Sequence, residues 1–277
     1  MVKLTAIQMC SVPDVDANLA EISRQLLLLT ESQEQAADTT HLVVLPECCL
    51  FFGGKDSEQL TLAKANMAES GLIASLSDLA KRFNVYLVAG TIPIYCQETD
   101  KFTNSSCVFS PTGELLAQYD KIHLFDVEVE DSEKSYLESR FTKAGTSVEV
   151  LETEFATIGL SVCFDVRFPI LYQELAAKGA RIITVPAAFT RVTGKAHWQT
   201  LLQARAIENQ AYIIAAAQEG VHANGRETWG HSMIISPWGE VLACLEEGEG
   251  QVSSIYREEE VERIRQRMPL KSKLGKA

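Results

Sequence analysis

Apolar and polar positions alternate along KLTAIQM (3–9), the period-2 pattern of a strand. Leu19, Ile22, Leu26 and Leu29 recur at helical spacing across 18–30, and Leu72, Leu76, Leu79 and Phe83 mark a second amphipathic helix. Between them, HLVVLP (41–46) is continuously apolar, as a strand covered on both faces should be. NVYLVAGTI (84–92) predicts another strand. SSCVFS (105–110), the turn PTGE (111–114) and LLAQYDK (115–121) predict a hairpin. The acidic stretch DVEVEDSEKSYLES (126–139) predicts an exposed loop. TSVEVLET and FATIGLSVC predict strands, and PILYQELAAKGA (169–180) predicts a helix with a glycine near its end. RIITVP (181–186) reads as a strand, HWQTLLQARAIENQ (197–210) as a helix and AYIIAAA (211–217) as a strand. GHSMIIS, the turn PWGE, VLAC and GQVSSIY complete the strands, and REEEVERIRQRM predicts a charged final helix.

No Ser/Gly-rich linker, repeat or low-complexity block divides the chain, so 1–277 reads as a single domain. Helix and strand alternate at both ends, with hairpins in the middle. That order predicts an α/β fold with mixed sheets covered by helices.

Composition narrows the partners. The formal net charge of −12 repels nucleic acid and anionic membrane surfaces over long range. No apolar run reaches the ~18 residues of a membrane span, and MVKLTAIQMC lacks the long apolar core of a signal peptide. The expected compartment is the cytoplasm. Seven cysteines at irregular spacing, with no CxxC pair, argue against a disulfide scaffold or a zinc ribbon. Five scattered histidines without HxxxH or HExxH give no metal site. Most of the cysteines, the adjacent Cys48 and Cys49 included, read as small packing residues.

Three polar residues end or interrupt apolar strands: Glu47 after LVVLP, Lys121 after LLAQYD, and Cys163 after IGLSV. Taken singly, each has an ordinary reading as a solvated acid, an edge-strand lysine or core filling. Together they have the chemistry of acyl transfer. A thiol attacks as the thiolate, and a carboxylate can take its proton. An ammonium group neutralises the oxyanion that forms as a carbonyl becomes tetrahedral.

LVVLPE, YDKIHLFD and GLSVCFDVRFP resemble the three catalytic blocks of the nitrilase superfamily of carbon–nitrogen hydrolases, in the family's order. The resemblance implies a four-layer αββα sandwich that assembles as a homodimer or higher homo-oligomer. It also implies a Glu–Lys–Cys triad needing no metal or organic cofactor. Glu47 would be the general base, Lys121 the oxyanion holder and Cys163 the nucleophile. The backbone N–H of Phe164 would be a second oxyanion donor, and ammonia or an amine would leave from a thioester intermediate. Family members carry a further glutamate near the site, which falls on Glu138 of YLES; Glu128, Glu130 and Glu133 compete for that position.

The segments 187–218, 226–233 and 237–243 look most like amidases acting on deaminated glutathione, and next like omega-amidases acting on α-ketoglutaramate. VHANGRET (221–228) is nearer the former. Both substrates are small carboxylate-bearing amides and need a local cation. Arg167 is the candidate for a bidentate contact, against an internal salt bridge with Asp165 or with an acid elsewhere. Phe189 and Thr193, in the loop after RIITVP, either line the pocket or pack the loop. Arg191 and Lys195 are further cations, ordinarily solvated. Arg205 and Glu208 are spaced for an ion pair within the helix, and Trp198 for packing. A catalytically silent scaffold is the alternative from another class, and the three intact residues argue against it. A class I glutaminase fails because GxCxGxQ and a downstream HxE are absent.

Overall fold

A computed structural model describes residues 1–31, 39–66, 71–131 and 135–270. The first half contains β1 (Val2–Gln8), α1 (Val15–Glu31), β2 (Thr40–Val44), α2 (Asp56–Ala65), α3 (Leu72–Phe83), β3 (Tyr86–Val88), β4 (Ile92–Cys96), β5 (Lys101–Phe109) and β6 (Leu115–Asp120). Then come β7 (Asp126–Glu128), β8 (Ser135–Leu137), β9 (Val150–Glu152), β10 (Thr157–Leu160), α4 (Pro169–Ala177), β11 (Ile182–Ala187) and α5 (Arg191–Asn209). The chain finishes with β12 (Tyr212–Ala217), β13 (Glu219–Val221), β14 (Glu227–Trp229), β15 (Ser232–Ile235), β16 (Val241–Leu245), β17 (Gly250–Tyr256) and α6 (Glu258–Arg267).

One sheet runs β17-β1-β2-β3-β5-β4, with β6 on β5, and the other runs β16-β15-β12-β11-β10-β9. Strand periodicity explains the layering. On β1 and β2, Leu4, Ala6, Leu42 and Val44 join the cluster between the sheets, with Ile158, Leu160 and Ile182. Their neighbours Ile7, Val43 and Leu45 turn the other way onto Ile22, Leu26 and Leu29 of α1 and Leu76 of α3. Both faces of these strands are therefore dry, which is why HLVVLP is apolar throughout. Helices α4 and α5 cover the second sheet through Leu171, Leu175, Trp198 and Leu202. The result is the αββα sandwich. Each fully buried Leu or Ile contributes about 2 kcal/mol. No helix among the described residues is long and apolar enough to cross a membrane.

Helix α2 and the pair β13–β14 were not expected from the sequence, and three further elements differ from the expectation. The strand expected over 84–92 is split into β3 and β4 at Gly90, whose φ is +53°. Helix α5 starts at Arg191 rather than at 197, with Thr190 as N-cap accepting a hydrogen bond from Thr193 N. Gly194 disguised that start, and glycine is required there because a Cβ would lie 2.2 Å from Trp229 Cβ. The acidic stretch is no simple loop: β7 pairs with β8, and a 3-10 turn follows at Glu138–Arg140. Trp198 is buried and donates from Nε1 to His231 O at 3.0 Å, and Arg205 pairs with Glu208 at 2.6 Å.

Candidate active site

Glu47 follows β2 where the chain turns at Pro46. It is 5% exposed. Its Oε1 accepts from Lys121 Nζ at 2.8 Å and from Asn104 Nδ2 at 3.0 Å, and Oε2 accepts from Ala188 N at 3.0 Å. Its own carbonyl accepts from Gln218 Nε2 at 3.0 Å. The carboxylate is thus held by groups from β5, the end of β6 and the end of β11.

Lys121 directly follows β6, and its backbone N–H donates to Asn104 O at 3.0 Å. Its side chain is 2% exposed and bridges two carboxylates, Glu47 at 2.8 Å and Glu138 Oε2 at 2.9 Å. Glu138 also accepts from Phe125 N at 2.7 Å and from Asn104 Nδ2 at 3.2 Å. Of the competing acids, Glu128 and Glu130 are exposed, and Glu133 lies outside the described residues. Glu138 is the acid that turns inward.

Cys163 ends the run after β10 and begins a 3-10 turn, Cys163–Arg167. Its φ is +48°, a left-handed conformation that costs a non-glycine residue on the order of 1–3 kcal/mol unless its surroundings enforce it. Asp165 does the enforcing. Its buried carboxylate accepts from Val162 N at 2.9 Å, Tyr119 Oη at 2.7 Å and His123 N at 3.1 Å. His123 Nδ1 lies 2.7 Å from the same carboxylate. Tyr119 and His123 flank Lys121 along the chain, so one carboxylate ties the lysine segment to the cysteine turn across the two sheets. Arg205 braces the far side of that turn, donating from Nε to Val166 O at 2.9 Å.

Burial pushes the Cys163 thiol well above its ordinary value, and the charge of Glu47 adds to this, whereas Lys121 and the Ala188 amide pull it down. The sulfur therefore rests as a thiol. Burial alone would lower the Lys121 ammonium, but Glu138 and Glu47 outweigh it and hold the group well above the usual lysine range. Burial raises the Glu138 carboxyl, with Lys121 opposing. A thiol, a carboxylate and a fixed cation beside one another have the parts for nucleophilic acyl transfer.

These groups lie at one end of a cavity of about 1090 Å³, counting its open mouth. Phe164, Phe189 and Thr193 line it, with Phe189 tilted against Trp198 at 4.6 Å between ring centres. Thr193 does so from the first turn of α5 rather than from a loop. The N–H of Phe164 falls at the start of the 3-10 turn, where amides lack intrahelical acceptors. The Arg167 guanidinium sits over the rings of Phe164 at 5.7 Å and Phe189 at 5.2 Å, both of which line the cavity, and lies 3.2 Å from His197 Nδ1. A salt bridge with Asp165 is not formed, because Asp165 is taken up by Tyr119, His123 and Val162. Arg191 pairs with Glu227 at 3.0 Å, and Lys195 is exposed. Cys48, read from the sequence as packing, lines the cavity. Asn104 and Gln218 escaped sequence reasoning: Asn104 sits among other polar residues of β5, and Gln218 only follows the apolar strand β12.

A family model described as carbon-nitrogen hydrolase matches residues 3–266. A deaminated glutathione amidase from Yersinia enterocolitica is 42% identical over 237 residues, covering 85% of this chain and 80% of that one. An omega-amidase from Xenopus tropicalis is 34% identical over 269 residues, covering 97% of this chain and 93% of the other. The crystal structure of Saccharomyces cerevisiae Nit3, a member of branch 10 of the nitrilase superfamily, superposes with a TM-score of 0.86 at 30% identity, over 98% of this chain and 96% of that one. With three distant segments converging on one cavity, and with relatives of this kind along almost its whole length, the chain belongs to the carbon-nitrogen hydrolase family, whose members hydrolyse carbon–nitrogen bonds other than peptide bonds.

Proposed function

We propose that this chain is a cysteine-dependent amidase that opens a small carboxylate-bearing amide of the deaminated-glutathione type through a thioester. The observation that carries the reading is the meeting of Glu47, Lys121 and Cys163 at one end of one cavity. Glu47 takes the thiol proton as Sγ bonds to the amide carbon. The carbonyl oxygen gains charge beside Lys121 Nζ and the Phe164 N–H, each such donor contributing on the order of 3 kcal/mol. Glu47 then passes its proton to the leaving nitrogen, the carbon–nitrogen bond breaks, and an acyl thioester remains. Water, deprotonated by the same carboxylate, attacks the thioester and restores the thiol. Glu138 and Asn104 touch Lys121 or Glu47 rather than the reacting atoms and act as positioning residues.

In deaminated glutathione the leaving group is a dipeptide, released through its own amino group; in α-ketoglutaramate it is ammonia. The higher identity to the deaminated glutathione amidase favours the former. Purified protein is expected to show kcat/KM at least about tenfold higher on deaminated glutathione than on α-ketoglutaramate. Rapid-quench mass spectrometry should find the acyl group on Cys163. The reverse ratio would move the assignment to the omega-amidases, and no turnover of either compound would remove the proposal.

The turn that presents Glu47 offers a second check. A Cβ on Gly90 would lie 1.9 Å from Pro46 O, and the φ of +53° already disfavours a side chain. Gly90→Ala must displace the Pro46–Glu47 turn. A misplacement of about 1 Å costs about a hundredfold in rate, so kcat should fall by that order while KM changes little. An unchanged kcat would mean that the base is not held through this turn.

A further inference from the structure

We propose that the rings lining the cavity receive an apolar group carried on the leaving-amine arm of the substrate, so that amides of larger aliphatic amines are better substrates than amides of ammonia or methylamine. The inference rests on the amidase reading above and names the substrate class of that same site.

Phe51, Phe52, Phe125, Tyr136, Phe141 and Phe164 all line the cavity, and each is partly exposed. Leu137, 56% exposed, joins them. A single apolar side chain at a surface is ordinary, but several facing one concave site mark a place where an apolar ligand leaves water. Three of the rings form a chain of direct contacts. Phe164, next to the nucleophile, meets Phe125 at 5.1 Å, and Phe125 meets Tyr136 at 5.0 Å. The rings are also fixed from behind. Phe51 N–H donates to Cys48 O at 3.1 Å, and Phe52 N–H to Val12 O at 3.3 Å. The Phe52 ring stands perpendicular to that of the buried His222 at 4.4 Å. Phe125 N–H donates to Glu138 Oε2 at 2.7 Å, and the Phe141 carbonyl accepts from Phe102 N of β5 at 3.1 Å. A wall built in advance loses little freedom on receiving a ligand.

Direction follows from the order of events. The amine departs while the acyl group is still bonded to sulfur, so its arm must lie along the route outward. The rings run that way, from Phe164 beside Cys163 to Tyr136 on β8, whose neighbours Ser135 and Leu137 are exposed. Arg167 stands over Phe164 and Phe189 and is within electrostatic reach of Cys163. A carboxylate on the acyl arm has its counter-charge there, which leaves the rings beyond Phe164 to the amine arm. On a leaving dipeptide, a thiol or thioether side chain would sit on these rings, and sulfur packs well against aromatic edges.

The experiment uses glutarate monoamides carrying N-methyl, N-butyl or N-hexyl groups. Their parent amines are of similar basicity, so the chemistry at the scissile bond is held constant while the apolar arm grows. Each methylene that leaves water for the rings should raise kcat/KM about threefold, mainly through KM, so the N-butyl amide should exceed the N-methyl amide by on the order of 30-fold. Phe125→Ala removes the central ring of the three and should cut that ratio at least about threefold, and Phe125→Leu should restore much of it. Thermal melts confirm that the variants fold; should Phe125→Ala melt early, Phe51→Ala carries the comparison. A flat series, with its members turned over, overturns this inference and leaves the amidase reading standing. So does an undiminished ratio in Phe125→Ala and Phe51→Ala, or hydrolysis of deaminated glutathione with no N-alkyl amide turned over. Failure to hydrolyse deaminated glutathione and every member of the series overturns both.

Discussion

Cys163→Ala is expected to lower kcat/KM by on the order of 10⁴- to 10⁶-fold without unfolding the protein. The reason lies in how the site is divided. The alanine variant keeps Glu47, Lys121 and Glu138 in place, since other groups hold them: Asn104, Ala188 and Phe125 donate to the carboxylates, and Lys121 bridges the two. Substrate should therefore still bind, and only bond making is lost. The missing sulfur opens into a cavity that already exists, so the stability cost should stay near ~1 kcal/mol. Steady-state kinetics, a binding isotherm and a melt report the three parts separately. Retention of more than about a hundredth of wild-type turnover would mean that another group attacks the amide.

The second large effect concerns Lys121→Met. The variant buries two carboxylates, Glu47 and Glu138, without the cation that bridges them. Removing one partner of a buried ion pair costs about 3–5 kcal/mol, which for a chain of this size lowers Tm by on the order of 10 °C. Loss of the oxyanion donor should reduce kcat by at least about 10²–10³-fold as well. The pH dependence is specific. Burial already raises the Glu138 carboxyl above its ordinary value, and Lys121 is the group that opposes this. Without the lysine the folded variant holds a proton at Glu138 that the unfolded chain gives up, so its stability falls as pH rises. In the wild type the raised Lys121 contributes stability that is complete below the unfolded lysine range and is lost only as pH climbs past it. The Tm deficit of the variant should therefore be larger at pH 8 than at pH 5. Equal deficits at both would show that Glu138 does not take up the proton.

Strands β2, β11 and β12 were legible in the pattern of positions, because strands covered on both faces have to be apolar without interruption, whereas the four-layer arrangement came with the family resemblance. Glu47, Lys121 and Cys163 stood out only together, since each alone has an ordinary explanation. Other parts were hidden for physical causes. Glu138 sits among acids that look alike in sequence, and only the β7–β8 pairing and the Phe125 amide turn it inward. The start of α5 was masked by Gly194, a poor helix residue that is there to admit Trp229. Asn104 and Gln218 act on Glu47 from positions far away along the chain, a relation that no local pattern contains.

The β7–β8 pair has a consequence for the charge in the site. Glu138 directly follows β8, so a surface element carries one of the two counter-ions of an interior lysine. Tyr136 and Leu137 of that element also line the cavity, so its seating bears at once on the wall that meets the substrate and on the field at Lys121.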